Sequence, residues 1–340
     1  MTQDPELSPA LKALGFTGRA VLAPMSGVTD VPFRRIASRF GAGLVVSEMV
    51  ASEAFVVGHE EMRLKAESDG IEVPVVQLAG REPRWMAEAA KLAEQSGAAI
   101  IDINMGCPAK KVVSGLSGSA LMRDLELAQR LIVATVSATS VPVTLKMRLG
   151  WDHDSINAPQ LAQIAEGEGV QLITVHGRTR NQFYKGKADW SAIHAVRDAM
   201  SLPLIANGDL TRPEDAPDML TASGADAVMI GRGAYGAPWI VGQTSQFLAN
   251  GRYPPAPSGA SLAVVIAEHY EAMLAHYGTA LGVRQARKHL DWYLQTSTVN
   301  ASPDQRLQLM KAEEPKEVLA LIADLFGDAI GGHTAERNAA

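Results

Sequence analysis

Thiols are nearly absent from this 340-residue chain. Its one cysteine, Cys107, excludes an internal disulfide and a Cys-based zinc site, and it fits a reducing cytoplasm. No apolar run approaches the ~20 residues a membrane helix needs. The start, Met1–Pro9, carries Asp4 and Glu6 instead of an apolar segment, so no secretory leader is expected. No acidic pair or His cluster has metal-ligand spacing, and no metal is expected. Positive charge is in deficit, with 31 Lys and Arg against 37 Asp and Glu, a formal net charge of −6. A nucleic-acid partner would therefore need a locally concentrated basic surface.

The chain does have the content of an ordinary folded protein, with 47% hydrophobic residues. Eight short apolar runs recur: Ala20–Met25, Leu44–Met49, Val73–Leu78, Ile100–Asn104, Val143–Met147, Leu172–His176, Leu204–Ala206 and Ala227–Ile230. Most are solidly apolar, as parallel strands covered on both faces should be. Amphipathic stretches lie between them, at Trp85–Gln95, Leu125–Ser137, Pro159–Glu166 and Trp190–Met200. Strands alternating with helices imply a parallel sheet, and eight units match a (β/α)8 TIM barrel. A doubly wound sheet is the alternative, but the first strand ends in Ala-Pro-Met-Ser-Gly with no G-x-G-x-x-G. The fold class expected is thus α/β, a TIM barrel over residues 1–250. A Pro-rich linker follows at 251–260, then a small C-terminal helical bundle at 261–326 and a frayed tail at 327–340. Helices are expected over Val283–Leu294 and Pro315–Phe326.

In a barrel, polar residues at the carboxyl ends of the strands face one pocket. Cys107 lies there, in Asp102-Ile-Asn-Met-Gly-Cys-Pro108, as a candidate acid, base or nucleophile. The competing reading is a small buried hydrophobe. Asn207-Gly208-Asp209 and Gly231-Arg232-Gly233 follow the seventh and eighth strands, the common phosphate site of this fold. Glycines allow close backbone approach, and a guanidinium adds charge. Lys146 sits in a strand whose neighbours should be core, where an ammonium is costly without an anion. It would suit an electron-rich ring that becomes anionic on reduction. Gln77 and Asn104 could fix the edges of a flat heterocycle. His176 is either a packed histidine or a contact to that ring.

Together these segments resemble the tRNA-dihydrouridine synthases, most closely the B-type bacterial subgroup. The matching stretches are Ala-Pro-Met-Ser-Gly-Val-Thr-Asp (23–30), Gln77-Leu-Ala-Gly, Asp102 to Pro108 and Lys146-Met-Arg-Leu-Gly. They continue with His176-Gly-Arg-Thr-Arg, Tyr184 to Trp190, Asn207-Gly-Asp and Ile230 to Trp239. Ser26 departs from the alanine often found there. The resemblance implies an FMN-dependent reductase of uridines in tRNA, with NADPH or NADH as electron donor. It implies FMN contacts at Pro24, Met25, Ser26, Gln77, Lys146, Asn207, Gly208, Asp209, Gly231 and Arg232, with His176 near the flavin. Cys107 matches the proton donor, and Asn104, Arg178 and Tyr184 are expected near the uracil.

The helical region would then serve the RNA. Gly282–Lys311 holds five basic residues against two acidic ones, a local +3. Arg284, Arg287 and Lys288 are spaced to share one helix face that could hold phosphates. A plain solvated face is the competing reading. A cytoplasmic monomer is expected. Two other functions remain open: an FMN barrel acting on a free pyrimidine, and a non-catalytic tRNA-binding protein.

Overall fold

The computed structural model describes residues 7–327. Most of the Met1–Pro9 start and all of the expected tail after Gly327 lie outside the described residues. Eight parallel strands close into a barrel in chain order: β1 (Ala20–Leu22), β2 (Leu44–Ala51), β3 (Val75–Ala79), β4 (Ile100–Met105), β5 (Val143–Arg148), β6 (Leu172–His176), β7 (Leu204–Asn207) and β8 (Ala227–Ile230). Pairing of β8 with β1, Ala20 beside Val228, closes the ring. A helix follows each strand, which makes this a (β/α)8 TIM barrel.

β3, β4, β5 and β7 differ from the expected bounds by one or two residues, and β1 and β2 depart from them for local reasons. β1 ends at Leu22, because the next residues form a turn in which Val28 and Thr29 N–H donate to Met25 O. β2 continues to Ala51 through the buried polar residues Ser47 and Glu48, which an apolar run does not reveal. The expected helix Trp190–Met200 is split into a 3-10 turn, Ser191–Ile193, and a short helix, His194–Ala199.

One end of the barrel is filled with hydrocarbon. Leu11, Leu14 and Phe16 join Val75, Ile100 and Leu172, the first residues or near-first residues of their strands, in one buried cluster. Each such side chain contributes about 1.5–3 kcal/mol of burial. The opposite, carboxyl-end rim is where the polar residues gather.

By contacts the chain divides into two compact units. The first runs to Gly233 and takes up Trp239–Tyr253; the second holds Ala234–Pro238 and the chain from Pro254. The second unit contains helices Gly259–Tyr277, Thr279–Thr296, Pro303–Lys311 and Pro315–Gly327. Its first helix begins two residues before the expected Ser261, because Ser258 and Ser261 form a capping box. Within this unit the Tyr235 ring stacks on Trp292, centroids 4.1 Å apart.

Candidate active site

A continuous chain of hydrogen bonds runs across β3, β4 and β5 and leads to the carboxyl end of β4. Strand register sets Gln77 beside Asp102 and Asn104 beside Lys146. Asp102 accepts from Gln77 Nε2 and from Thr144 Oγ1, both at 2.6 Å. Burial pushes its carboxyl upward, against the lowering effect of those two donors and of Lys146. Gln77 Oε1 in turn accepts from Asn104 Nδ2 at 2.6 Å. Asn104 Oδ1 then accepts the backbone N–H of Gly106 (3.2 Å) and Cys107 (2.9 Å). The turn carrying the thiol is thus fixed by an amide whose own orientation is set by Gln77 and Asp102.

The Cys107 carbonyl is held from the other side by Ser119, through N–H at 3.0 Å and Oγ at 2.8 Å. Arg148, at the end of β5, donates from Nε to Gly106 O at 2.8 Å. Its Nη1 bonds Thr179 O and Phe183 O, both at 2.9 Å. Burial lowers the Arg148 guanidinium to about 10. Cys107 as a residue is partly exposed.

Lys146 is 9% exposed and donates to Asn207 Oδ1 at 3.0 Å. Asn207 is fixed by its own Nδ2, which donates to Met229 O at 2.8 Å. No carboxylate lies within ion-pair distance of the ammonium among the described residues. Burial, with Arg148 nearby, lowers Lys146 to about 8, against the opposing pull of Asp102 and Cys107.

Beyond β6, Arg178 is 1% exposed and fully engaged. It reaches Asp209 by two bonds, 2.9 Å to Oδ1 and 2.5 Å to Oδ2, and also Lys185 O, Gly186 O and His176 Nε2. Burial raises the Asp209 carboxyl, but the bonds from Arg178 and Ala188 N–H lower it further, leaving it below its ordinary range. Arg232 also reaches Asp209 Oδ1, at 3.2 Å, and lies over the Tyr184 ring. Tyr184 is 51% exposed, with the Arg148 guanidinium 5.6 Å from its ring centroid as well. Gly208 has φ 130°, and a Cβ there would lie 2.6 Å from Ala188 Cβ and 3.1 Å from His176 Cδ2. Only glycine allows β7 to turn so close to β6.

The rim therefore brings together Gln77, Asn104 and Cys107, then Lys146 and Asn207, then His176, Arg178, Asp209 and Arg232. Met25 lies near Gly231: a Cβ at that glycine would be 3.7 Å from Met25 Sδ. Pro24 and Ser26 are in the same turn after β1. Arg284, Arg287 and Lys288 lie elsewhere, on Thr279–Thr296 of the second unit. There Arg284 is exposed, Arg287 and Lys288 are half-buried, and Lys288 donates to Gln285 Oε1. Asp102 is a structural member to which the sequence reading gave no role, and Arg148 is one it noted only as a polar residue at the end of the fifth strand. Asp102 left one signal, a carboxylate inside a strand whose only other polar residue is Asn104.

The dihydrouridine synthase (Dus) family model matches residues 21–329. This chain belongs to the dihydrouridine synthase family. A probable tRNA-dihydrouridine synthase of Rhizobium leguminosarum bv. phaseoli is 55% identical over 318 residues, 93% of this chain and 98% of that one. The tRNA-dihydrouridine synthase B of Xanthomonas axonopodis pv. citri is 48% identical over 315 residues, 92% and 94% of the two chains. Family membership makes the chain an oxidoreductase of the tRNA-dihydrouridine synthase class. Among solved structures, the barrel is similar to a 2-naphthoyl-CoA reductase, at TM-score 0.55 and 11% identity, over 70% of this chain and 50% of that one. Histamine dehydrogenase from Rhizobium sp. 4-9 gives TM-score 0.50 and 12% identity, over 75% and 49%. At such identities the likeness shows the shared fold alone. No helix among the described residues is long and apolar enough to cross a membrane.

Proposed function

We propose that this dihydrouridine synthase reduces the 5,6 double bond of uridines in tRNA, using bound FMN and electrons from NADPH or NADH. The observation that carries the reading is the thiol of Cys107, held on a turn immobilised from both sides, on the same rim as a buried lysine without a carboxylate partner.

The residues present fit a flavin. A buried ammonium that bonds only a neutral amide calls for an electron-rich ligand to offset its desolvation. At Gly231 a side chain would meet only ordinary contacts, so the protein's own packing does not require glycine there. The space it leaves is a cradle for a ligand. Lys146 and Gln77 would hold the polar edge of the ring system, and Pro24, Met25 and Ser26 would lie against it. Asn207, Gly208, the backbone of Asp209, Gly231 and Arg232 would hold its phosphate. When bound, reduced flavin supplies a hydride for C6 of the uracil.

The chain's residues do the rest. The Cys107 thiol donates its proton at C5, and the C5–C6 π pair forms the new C–H bond. Asn104, through the Gly106 and Cys107 N–H groups, keeps the sulfur in place. Tyr184 and Asn104 would contact the base. Arg178, whose donors are all engaged within the protein, acts near the uracil through His176 and Asp209. Reaching the pocket requires the base to leave its stack. Arg284, Arg287 and Lys288 would hold phosphates of the folded RNA.

The test is NADPH oxidation by the purified yellow protein with unmodified tRNA or with free uracil, followed by dihydrouridine analysis of the RNA. Oxidation coupled to dihydrouridine in tRNA is expected. Turnover with free uracil alone would overturn the reading.

A further inference from the structure

A cationic and aromatic cluster lies outside the machinery described above. The Arg123 guanidinium carbon is 4.8 Å from the Trp151 ring centroid, and that of Arg180 is 4.6 Å away. Arg180 also lies 5.0 Å from the Phe183 ring centroid. Neither arginine has a carboxylate within ion-pair distance among the described residues. Arg180 bonds the neutral amide of Asn181, at 3.1 Å. Aspartates are close in sequence, but Asp124 caps the helix Leu125–Val136, and Asp152 accepts from Ser155. Asp154 is exposed.

Two segments of this cluster are tied to the Cys107 turn, and the third is tied to one of those two. Arg123 ends the 3-10 helix Gly118–Arg123, whose Ser119 holds the Cys107 carbonyl. Trp151 follows Arg148, which holds the Gly106 carbonyl. Arg180 donates its backbone N–H to Gly150 O at 2.9 Å. In the three loops 107–124, 148–155 and 178–189, eight Lys and Arg face four Asp, a net of +4 in a chain of −6.

We propose that Arg123 and Arg180, set on Trp151, form a phosphate clamp for the RNA backbone beside the reacting nucleotide. This rests on the tRNA reading above. A guanidinium stacked on an indole keeps its N–H fork for a phosphate and loses less rotamer freedom on binding. An extruded nucleotide above Cys107 must be flanked by two phosphates, and these loops border its turn. The clamp acts on the RNA backbone and reads no base.

The test measures affinity of the flavin-loaded enzyme for unmodified tRNA between about 50 and 200 mM salt. Arg123→Gln with Arg180→Gln is expected to weaken binding. It should also reduce the slope of log affinity against log salt by about 1.4, two single-strand phosphates at about 0.7 each. Flavin content and NADPH oxidation without tRNA should not change. Trp151→Leu, which keeps both charges, should weaken binding while leaving most of the slope. Equal affinity with parallel salt lines overturns the clamp, as does weaker binding of the double variant with an unchanged slope. If the double variant fails to fold, Arg123→Gln alone, at an exposed helix end, should lose about 0.7 of slope. A wild-type enzyme that binds tRNA but makes no dihydrouridine defeats the functional reading, and the salt lines still judge the clamp.

Discussion

Arg178 Nη1 lies 3.3 Å from His176 Nε2, and this contact decides which ring nitrogen carries the proton. A guanidinium only donates, so Nε2 accepts and the hydrogen is on Nδ1. Burial, together with Lys146, Arg148, Arg178 and Arg232, holds the ring well below its ordinary value. His176 is therefore a neutral Nδ1–H donor at the end of β6. Nitrogen-15 spectra should show that tautomer, unchanged from about pH 6 to 8. Arg178→Met should give a mixture of tautomers. A ring that titrates near 6.5 would contradict the assignment.

Lys146 gives two opposite pH dependences. Its folded value, about 8, is below the ordinary 10.5, so between these the unfolded chain binds more protons. Stability of the flavin-free protein should therefore rise with pH across that window, by at most about 1.4 kcal/mol per unit. Flavin affinity should fall over the same range, because the ammonium that draws an anionic ligand is lost. Melting curves and fluorescence titration of FMN measure the two. Lys146→Met should abolish both trends and weaken flavin retention at least about tenfold, or 1.4 kcal/mol.

The barrel was legible because most strands are largely apolar runs, each followed by a polar turn. β6 and β8 fall at the expected residues, Leu172–His176 and Ala227–Ile230. Less legible were elements defined by capping. Helix Pro303–Lys311 starts with a Ser302–Gln305 capping box and Pro at its first position, but its apolar stripe is thin, with Leu309 alone buried. The rim residues could be nominated one by one from their strand ends. Their connections could not, since Thr144 to Asp102 spans 42 positions and Lys146 to Asn207 spans 61. Arg148 could be named at its strand end but given no role, because its partners are main-chain carbonyls, which no side-chain pattern announces.

Cys107 should separate chemistry from binding. Cys107→Ala should retain flavin and tRNA affinity and still accept electrons from NADPH, because none of these needs the thiol proton. Dihydrouridine formation should drop by about 10²–10⁴, the usual worth of a general acid. Cys107→Ser should recover little, its hydroxyl being a weaker acid. Rapid-mixing reduction of the flavin and mass analysis of the RNA distinguish the steps. Near-normal product from Cys107→Ala would return the residue to packing.

The second unit should be sensitive to mild acid. Burial lowers His269 to about 3, and burial with His269 and Lys288 nearby takes His289 well below 6.5. The two rings meet edge to face, centroids 4.8 Å apart. Because both folded values are depressed, the unfolded chain binds more protons below 6.5. Stability is thus present above that pH and lost as pH falls, by up to about 1.4 kcal/mol per unit for each ring. Between pH 6.5 and about 4.5 most carboxylates remain ionised, so the histidines dominate. Thermal melts followed by circular dichroism should show the loss, and His269→Gln with His289→Gln should flatten it. A flat wild-type profile would rule the effect out.

The basic face of helix Thr279–Thr296 is not uniform, and its members should separate by experiment. Arg284 is exposed, whereas Arg287 is half-buried with its Nε bonded to nothing in the protein, and its charge is felt by the Tyr270 phenol. Arg284→Ala should remove one phosphate contact at most. It should weaken tRNA binding and flatten the salt line by about 0.7–0.9, with no change in melting temperature. Arg287→Ala should do the same to the salt line and also lower the melting temperature, because its methylene stem helps cover the helix packing. Flavin content and NADPH oxidation without tRNA should be untouched by either. A salt line unmoved by Arg284→Ala would make this a solvated helix face, with the RNA held by the barrel rim.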